Sequence, residues 1–311
     1  MLAPWAIRPA AAAIAGGKPV TLVVSYPPGG GADIIARLIA PKLAEALGQP
    51  VVVENKPGAS GTIAANQVAR ATPDGTNLLI DASSFAVNPA LFPKLPYDTA
   101  TAFTPLGLIA QFPNVLVCTP SFEAKSVADV LRLARAKPGH IAYASSGNGS
   151  AQHLAGALFE DLAKVKLIHV PYRGGGPALT DVMGGQVPLF FANVASSLGH
   201  IQSGKLRALA VTASVRSRSL PEVPTMAEAG VKGHEVLDWN PVLAPAGLPS
   251  EVRATLVAAL QKAKSDPEVL GRIRALGGDV FAGNDQQAAA FLKQQQILWG
   301  RVIKERGITR E

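Results

Sequence analysis

Only one cysteine occurs in 311 residues, Cys118, which excludes an intrachain disulfide framework and any cysteine-rich metal site. It lies in the apolar run Val115-Leu116-Val117-Cys118 and reads as a small buried hydrophobe rather than a reactive thiol. Five histidines are scattered without a His-x-x-x-His or His-Glu-x-x-His pair, so no metal is expected. Charged residues are scarce, at 16%, against roughly 25% in an ordinary soluble domain. No stretch approaches the roughly 18 uninterrupted apolar residues that a membrane span needs, and a soluble chain is expected. Gly-x-Gly-x-x-Gly and Gly-x-x-x-x-Gly-Lys-[Ser/Thr] are both missing, which disfavours a dinucleotide or nucleoside triphosphate. There is no Gly-x-Ser-x-Gly elbow, no Ser-x-x-Lys and no recognisable acid pair, so nothing points to catalytic turnover or to a cofactor.

The chain does carry a hydrophobic fraction of 48%, 30 glycines and 25 prolines. That is enough apolar material for two domains, each with its own core and many turns. The net charge of +7 is dispersed. Its densest patches, Arg132/Arg135/Lys137 and Arg216/Arg218, are short and have no interleaved aromatics, so nucleic acid is not an expected partner and the charge reads as a bias toward anionic ligands. The small apolar stretch Ala10 to Gly17 resembles the end of a secretory signal, and residues 1–17 are read as a trimmed or partial export segment.

From Gly17 onward, short β-branched runs alternate with helical segments, the pattern of βαβ units. The strand Val20 to Ser25, the loop Tyr26-Pro27-Pro28-Gly29-Gly30-Gly31 and a helix opening at Ala32 form the first unit. Later units place a strand at Val51 to Asn55, a helix from about Thr62 to Ala71, and a strand Leu78 to Asp81 that ends in the loop Ala82-Ser83-Ser84-Phe85. A second series follows the apolar stretch Phe103 to Thr119, with the loops Ser145-Ser146-Gly147-Asn148-Gly149-Ser150 and Pro171-Tyr172-Arg173-Gly174-Gly175-Gly176. Helices are expected at Val127 to Ala136, Ser250 to Lys264 and Asp285 to Glu305.

Three of these strand-loop-helix junctions are rich in glycine. The first four N–H groups of a helix lack intrahelical partners and carry partial positive charge, and glycine lets an anion reach them. Three such loops, split between two series of units, predict one cleft at the carboxyl ends of two sheets that takes a carboxylate or phosphate. Asp33 reads either as a charge complementing a helix start or as a ligand contact. His153 reads either as a packed core histidine or as a cleft donor.

These residues resemble the extracytoplasmic solute-binding proteins of tripartite tricarboxylate transporters, the Bug-type, TctC-like receptors. The likeness runs over Tyr26-Pro27-Pro28-Gly29-Gly30-Gly31-Ala32-Asp33 with Arg37, Val53-Glu54-Asn55-Lys56-Pro57-Gly58-Ala59, Pro73-Asp74-Gly75 and Asn88-Pro89-Ala90-Leu91. It continues through Leu95-Pro96-Tyr97-Asp98, Val170-Pro171-Tyr172-Arg173-Gly174, Gly204 to Thr212 and Ala244-Pro245-Ala246-Gly247. The resemblance implies an α/β, type II periplasmic-binding-protein fold, with two lobes of mixed sheet and a ligand cleft between them. Residues 18–111 and 230–311 would form lobe 1 and 112–229 lobe 2, with crossings near Gln111 and Gly230.

The resemblance also implies that carboxylates are held mainly by backbone amides and hydroxyls of the loops at Gly29 to Asp33, with Gly30, Gly31 and Ala32, and at Ser145 to Ser150, with Asn148 and Gly149 singled out, and with water bridging. Ser83, Ser84 and Asn193 would line the cleft at strand ends. Tyr26, Pro28, His153, Arg173 and Gly174 complete the candidate set, Arg173 standing between a ligand clamp and a structural role. Arg37, a full turn into its helix, reads as structural. Gly31-Ala32 departs from the family pattern, in which Ser or Thr often precedes the aspartate, and this leaves the ligand open among mono-, di-, tri- and aromatic carboxylates.

Implied partners are a small and a large integral-membrane subunit, with a monomeric receptor in the periplasm. Two alternatives stand beside this reading: a sensory receptor for a signalling partner, and an enzyme acting on an acidic substrate.

Overall fold

The computed structural model describes residues 14–309; the export segment expected at residues 1–17 lies largely outside them. The chain begins with β1 (Val20–Val24), α1 (Gly31–Leu47), β2 (Val51–Asn55), α2 (Thr62–Ala69), β3 (Asn77–Ile80) and α3 (Ser84–Leu91). Strands β1, β2 and β3 run parallel, with β1 between the other two. All of β1 except Thr21 is buried, which fits the continuous apolar run of a strand covered on both faces.

The long strand β4 (Phe103–Cys118) leads into α4 (Val127–Ala136), β5 (Ala142–Ser145), α5 (Ala151–Ala163), β6 (Ile168–Pro171) and α6 (Gly175–Met183). Then come β7 (Leu189–Asn193), α7 (Val194–Gln202) and β8 (Arg207–Val211). Helix α4 shows why these segments fold locally as they do. Ser126 caps it by accepting the Asp129 N–H at 3.1 Å, and Val127, Val130 and Ala134 form its buried stripe. The chain closes with β9 (Leu237–Pro245), α8 (Ser250–Lys264), α9 (Pro267–Ala275), β10 (Asp279–Val280) and α10 (Asp285–Arg306). Helix α10 starts in a reciprocal capping box between Asn284 and Gln287 and stops at Gly307 in the left-handed conformation.

Strand β4 serves two sheets. Its Phe103–Pro113 portion pairs antiparallel with β9, which also pairs with β3. Its Asn114–Cys118 portion pairs antiparallel with β7 and β8, while β5 runs parallel to both β6 and β7. The transfer falls at Pro113, paired with Leu237, the first residue of β9. A proline fits there because it has no N–H to donate to a ladder. Two α/β lobes with mixed sheets result, joined by antiparallel strands.

Each lobe has its own core. In lobe 1 Leu22, Ile35, Ile39, Leu78 and Ile109 are buried together, and in lobe 2 Tyr143, Leu154, Phe159 and Phe191. Burial of each such side chain is worth roughly 1.5–3 kcal/mol. Helix α10 spans the two, with Ala288 and Leu292 in a lobe 1 cluster and Trp299 and Ile303 in the lobe 2 core. Cys118 is fully buried in that second core.

Two elements depart from the sequence reading. The segment read as the loop Ala82–Phe85 turns into helix α3 at Ser84, and α7 follows directly on Asn193. The start of α3 is held from a distance, the Ser83 N–H donating to Asp238, whereas α7 is capped locally by the Asn193 side chain, which accepts the Ala195 N–H at 2.9 Å.

Candidate functional site

The lobes touch along a cleft with two compartments. The inner one is a cavity of about 20 Å³ whose lining includes Gly30, Gly31 and Ala32 from the start of α1, Ala82 just before α3, Ser150 and Ala151 at the start of α5, Gly175 in α6, and Asn193 before α7. Five helix N-termini, two from lobe 1 and three from lobe 2, therefore meet at one point. Each brings the positive end of its dipole, with some first-turn N–H groups already taken, that of Ala195 by Asn193, that of His153 by Ser150 and that of Ser83 by Asp238. Among the described residues, no lysine or arginine lines this cavity, and the donors it offers are backbone N–H groups together with side chains such as those of Tyr26, Ser146, Ser150 and Ser196.

Asp238, in β9, forms the floor. Its carboxylate accepts hydrogen bonds from the Ser83 hydroxyl at 3.0 Å, the Trp239 N–H at 3.0 Å and the Asn193 amide at 3.0 Å, with Gln152 at 3.4 Å. Those donors explain how a charge that is 94% buried is held without a cationic partner. Sequence reading missed Asp238 and Gln152, while Ser146 lies in the Ser145 to Ser150 loop without having been singled out. The one available signal was an acid set inside the apolar strand Leu237 to Pro245.

The second compartment, of about 580 Å³, opens outward from the first and shares Tyr26 and Ser146 with it. Lobe 1 contributes Pro57 to Gly61, Ile63 and Phe92; lobe 2 contributes Gly147, Asn148, Pro171, Tyr172 and Arg173. Direct contacts bind its edges, the Ser60 hydroxyl donating to the Asn148 carbonyl and the Asn88 amide donating to the Ser60 carbonyl at 2.9 Å.

The residues expected from sequence divide by where they point. Tyr26, Gly30, Gly31, Ala32, Ser150 and Asn193 line the inner cavity, and Asn148 and Arg173 the outer compartment. Gly29 and Asp33 satisfy each other instead, the Gly29 N–H donating to Asp33 Oδ2 at 3.0 Å. Asp33 also accepts from Arg37 at 3.0 Å and from Asn55 at 2.9 Å. Burial alone would raise the Asp33 carboxyl, but Arg37, Gly29 and Asn55 outweigh it and hold it below the usual range. Asp33 is thus an anchor for the loop and does not line the cavity.

Pro28 and Gly174 form the seam between lobes. A Cβ on Gly176 would lie 3.1 Å from the Pro28 carbonyl, and one on Gly174 would lie 2.4 Å from the Pro27 ring. Ser83 faces Asp238, and Ser84 accepts the Tyr26 hydroxyl at 2.9 Å. Behind Ser84, buried Asp81 accepts from the Ser25 hydroxyl at 2.5 Å and the Ala82 N–H at 2.7 Å. Its second oxygen has no partner among the described residues, and burial pushes its carboxyl up to about 6.

Ser145, Gly149 and His153 support the lobe 2 loop from behind. The Gly149 N–H donates to His153 Nδ1 at 3.1 Å, and Ser145 Oγ lies 2.7 Å from His169 Nε2 while accepting the Gly147 N–H at 3.1 Å. The two imidazoles stack with centroids 4.1 Å apart. Burial holds His153 down to about 4, and burial with the neighbouring His153 holds His169 down to about 3, so both are neutral at pH 7. His153 is a packed histidine beneath the loop, outside the lining of both cleft compartments.

Among the described residues no group of three His, Cys, Asp or Glu is placed to hold a metal, and no helix is long and apolar enough to cross a membrane.

Comparison with known proteins bears on the fold and the family. The chain is 40% identical, over 93% of its length and 86% of the relative's, to the UPF0065 protein of the tcbD-tcbE intergenic region of Pseudomonas sp. strain P51. Its fold matches the periplasmic binding protein BugD with a TM-score of 0.90 at 36% identity, covering 94% of this chain and 99% of that one. It also matches R. palustris Rpa4515 with adipate, with a TM-score of 0.90 at 37% identity over 93% and 97% of the two chains. The profile of the tripartite tricarboxylate transporter family receptor, TctC, matches residues 35–308, and the chain belongs to that family of solute receptors.

Proposed function

We propose that this chain is an extracytoplasmic receptor that closes two lobes over a small carboxylate and presents it to the small and large integral-membrane subunits of a tripartite tricarboxylate transporter. It acts as a monomer in the periplasm. Residues 18–111 and 230–311 are assigned to lobe 1 and 112–229 to lobe 2; the exchange of β4 between sheets at Pro113 and Asn114 supports the first boundary, while Val231, Val236, Trp299 and Ile303 of the last segment reach across to pack in the lobe 2 core. The observation that carries the reading is the meeting of five helix N-termini from both lobes at one enclosed point. Adipate in the related Rpa4515 supports the ligand class.

Binding is the whole task of the site, and the protein is not an enzyme. A carboxylate bridging the two lobes is bound more tightly by the closed form than by the open one, and that difference drives closure. Ligand entry requires the seam between Pro27 and Gly174 to part.

Thermal shift and calorimetry against mono-, di- and tricarboxylates, aromatic acids, sugars and cations test this. An acid at 100 times its dissociation constant stabilises the chain by about 2.7 kcal/mol. A response to sugars or cations with none to any acid overturns the assignment.

A further inference from the structure

The lobe 2 loop that borders both compartments of the cleft rests on one imidazole. Asn148 lines the outer compartment and Ser150 the inner one, and the residue between them, Gly149, donates its N–H to His153 Nδ1 at 3.1 Å. Helix α3 of lobe 1 presses on the same residue: a Cβ on Gly149 would lie 3.0 Å from Leu91 and 3.4 Å from the Asn88 side-chain oxygen. The Ser60 hydroxyl donates to the Asn148 carbonyl, so the loop carries cleft wall and lobe contact on the same few residues.

His153 supports Gly149 only as a neutral ring. Nδ1 accepts through its lone pair, which places the ring proton on Nε2. Protonation puts an N–H on Nδ1 opposite the Gly149 N–H, and two donors then face each other. The contact of His169 with Ser145 differs, because Nε2 can donate to the hydroxyl in either charge state. The acid-sensitive bond of the support is therefore the one made by His153.

A groove of about 800 Å³, which shares no lining residue with either cleft compartment, reaches His153 and His169 and gives the proton a route. The titratable groups around the pair are Tyr143 from β5, Glu160 and Asp161 from α5, and Lys164 and Lys166 from the turn that follows. Strand β7 and the segment Gly307 to Thr309 bring none, and His234 is bound to the Ala155 carbonyl at 2.8 Å. Asp161 holds the Lys164 ammonium at 3.2 Å, and Glu160 accepts the Leu167 N–H at 2.7 Å, so both acids have partners of their own. The stacked His169, with centroids 4.1 Å apart, opposes a second charge beside the first.

We infer that His153 is the positioning residue of the ligand loop and its proton-operated release: neutral, it holds Gly149 and with it Asn148 and Ser150; protonated, it frees the loop and lowers carboxylate affinity. This rests on the receptor reading above and adds the regulation of that site. Burial holds His153 near 4 while the loop is in place. Release returns the ring toward its ordinary 6.5 and takes up a proton, so release becomes easier as pH falls from 6.5 toward 4.

The test compares the whole chain with His153→Asn and His153→Ala. An asparagine side-chain oxygen lies near the place of Nδ1, accepts the Gly149 N–H and does not titrate. Amide exchange followed by NMR needs no ligand: Gly149 protection, corrected for intrinsic exchange, should fall at least about tenfold between pH 7 and pH 5 in the unmodified chain. It should stay level in His153→Asn and be missing at both pH values in His153→Ala. Calorimetry with adipate supplies the functional measure. Between pH 7 and pH 5 the affinity of the unmodified chain should fall about fivefold further than that of His153→Asn, the worth of one hydrogen bond. Protonation of adipate itself cancels in that ratio. Equal pH dependence in the two proteins overturns the inference. Constant Gly149 protection in the unmodified chain does so too, and that measurement stands even where the variants fail to fold. No heat and no thermal shift with adipate or any other carboxylate at pH 7 overturns the receptor reading instead, and the exchange measurement then decides the loop support by itself.

Discussion

Asn193 and Asp238 join the two lobes beneath the cleft: the Asn193 amide donates to Asp238 Oδ2 at 3.0 Å, from the last residue of β7 to the second residue of β9. The other carboxylate oxygen takes the Ser83 hydroxyl from lobe 1, so one buried charge ties together side chains from both walls of the site. Removing that charge should leave donors from both lobes unsatisfied. Asp238→Asn is expected to lower unfolding stability by about 2 kcal/mol, the scale of a hydrogen bond to a buried charge. Asn193→Ala combined with it should cost less than the sum of the two, with a coupling of about 1 kcal/mol. Urea denaturation of the four proteins measures this, and strict additivity would show that the contact carries no energy.

Gly174 sits where no side chain fits. Its φ is +139°, and a Cβ would lie 2.4 Å from the Pro27 ring across the seam. A proline ring cannot rotate away as a long side chain can, so Gly174→Ala should hold the lobes apart. The expected result is a weakening of ligand binding by more than about tenfold, the equivalent of roughly 1.4 kcal/mol, together with loss of the ligand-induced fall in radius of gyration seen by small-angle scattering. Normal compaction in the variant would refute the steric account.

Acid should act on this fold through two opposed groups. His153 has a folded value near 4 against 6.5, and His169 one near 3. The unfolded chain therefore binds more protons than the native one below pH 6.5, and stability falls as pH drops from 6.5 toward 4. Asp81 has the reverse sign. Its folded value near 6 exceeds 3.8, so the native state takes up the proton first, and the cost of its charge is relieved as pH drops through 6. His153 and Asp81 each correspond to roughly 3 kcal/mol across their windows, and they partly cancel in the natural protein. Asp81→Asn should therefore lose stability more steeply than the unmodified chain between pH 6 and 4. Urea midpoints at pH 7, 5.5 and 4 provide the comparison, and parallel curves would contradict the assignment of Asp81.

Lys264 is buried in lobe 1, and its ammonium donates to the carbonyls of Leu108 at 3.1 Å, Phe281 at 2.8 Å and Gly283 at 3.1 Å. It fastens α8 to β4 and to the segment before α10. Lys264→Met preserves the apolar stem but removes all three donors, and a loss of about 3 kcal/mol is expected from the carbonyls left unpaired. Carboxylate affinity should be unchanged at temperatures where the variant is folded, because Lys264 lines neither compartment of the cleft. Chemical denaturation and calorimetry on the same preparation separate the two effects.

Much of the fold is written locally. The β2 range Val51–Asn55, the α4 range Val127–Ala136 and the α8 range Ser250–Lys264 coincide with segments readable from β-branched runs, helical periodicity and cap residues. Helix α3 is not readable in that way, since Ser84 to Leu91 contains Pro89 and is buried on nearly every side. Its amide end is fixed by Asp238, 155 residues away from Ser83. The role of Asp238 was hidden for the same reason, because nothing near it in the chain tells which helices end around it.

The sequence by itself determined that glycine loops follow strands and open helices, and hence that this chain carries several anion-binding ends. Only the tertiary structure decided which ends remain open. The N–H groups of Gly29 and Gly149 go to acceptors only four residues on, Asp33 and His153, and are settled locally; the Gly174 loop instead closes against Pro27 across the seam, while Gly31, Ala32 and Ala151 border the shared cavity, and both of those outcomes come from distant parts of the chain. A backbone amide's capacity to bind is a local property, but its availability depends on which acceptor the fold brings within about 3 Å. That acceptor can come from anywhere in the chain.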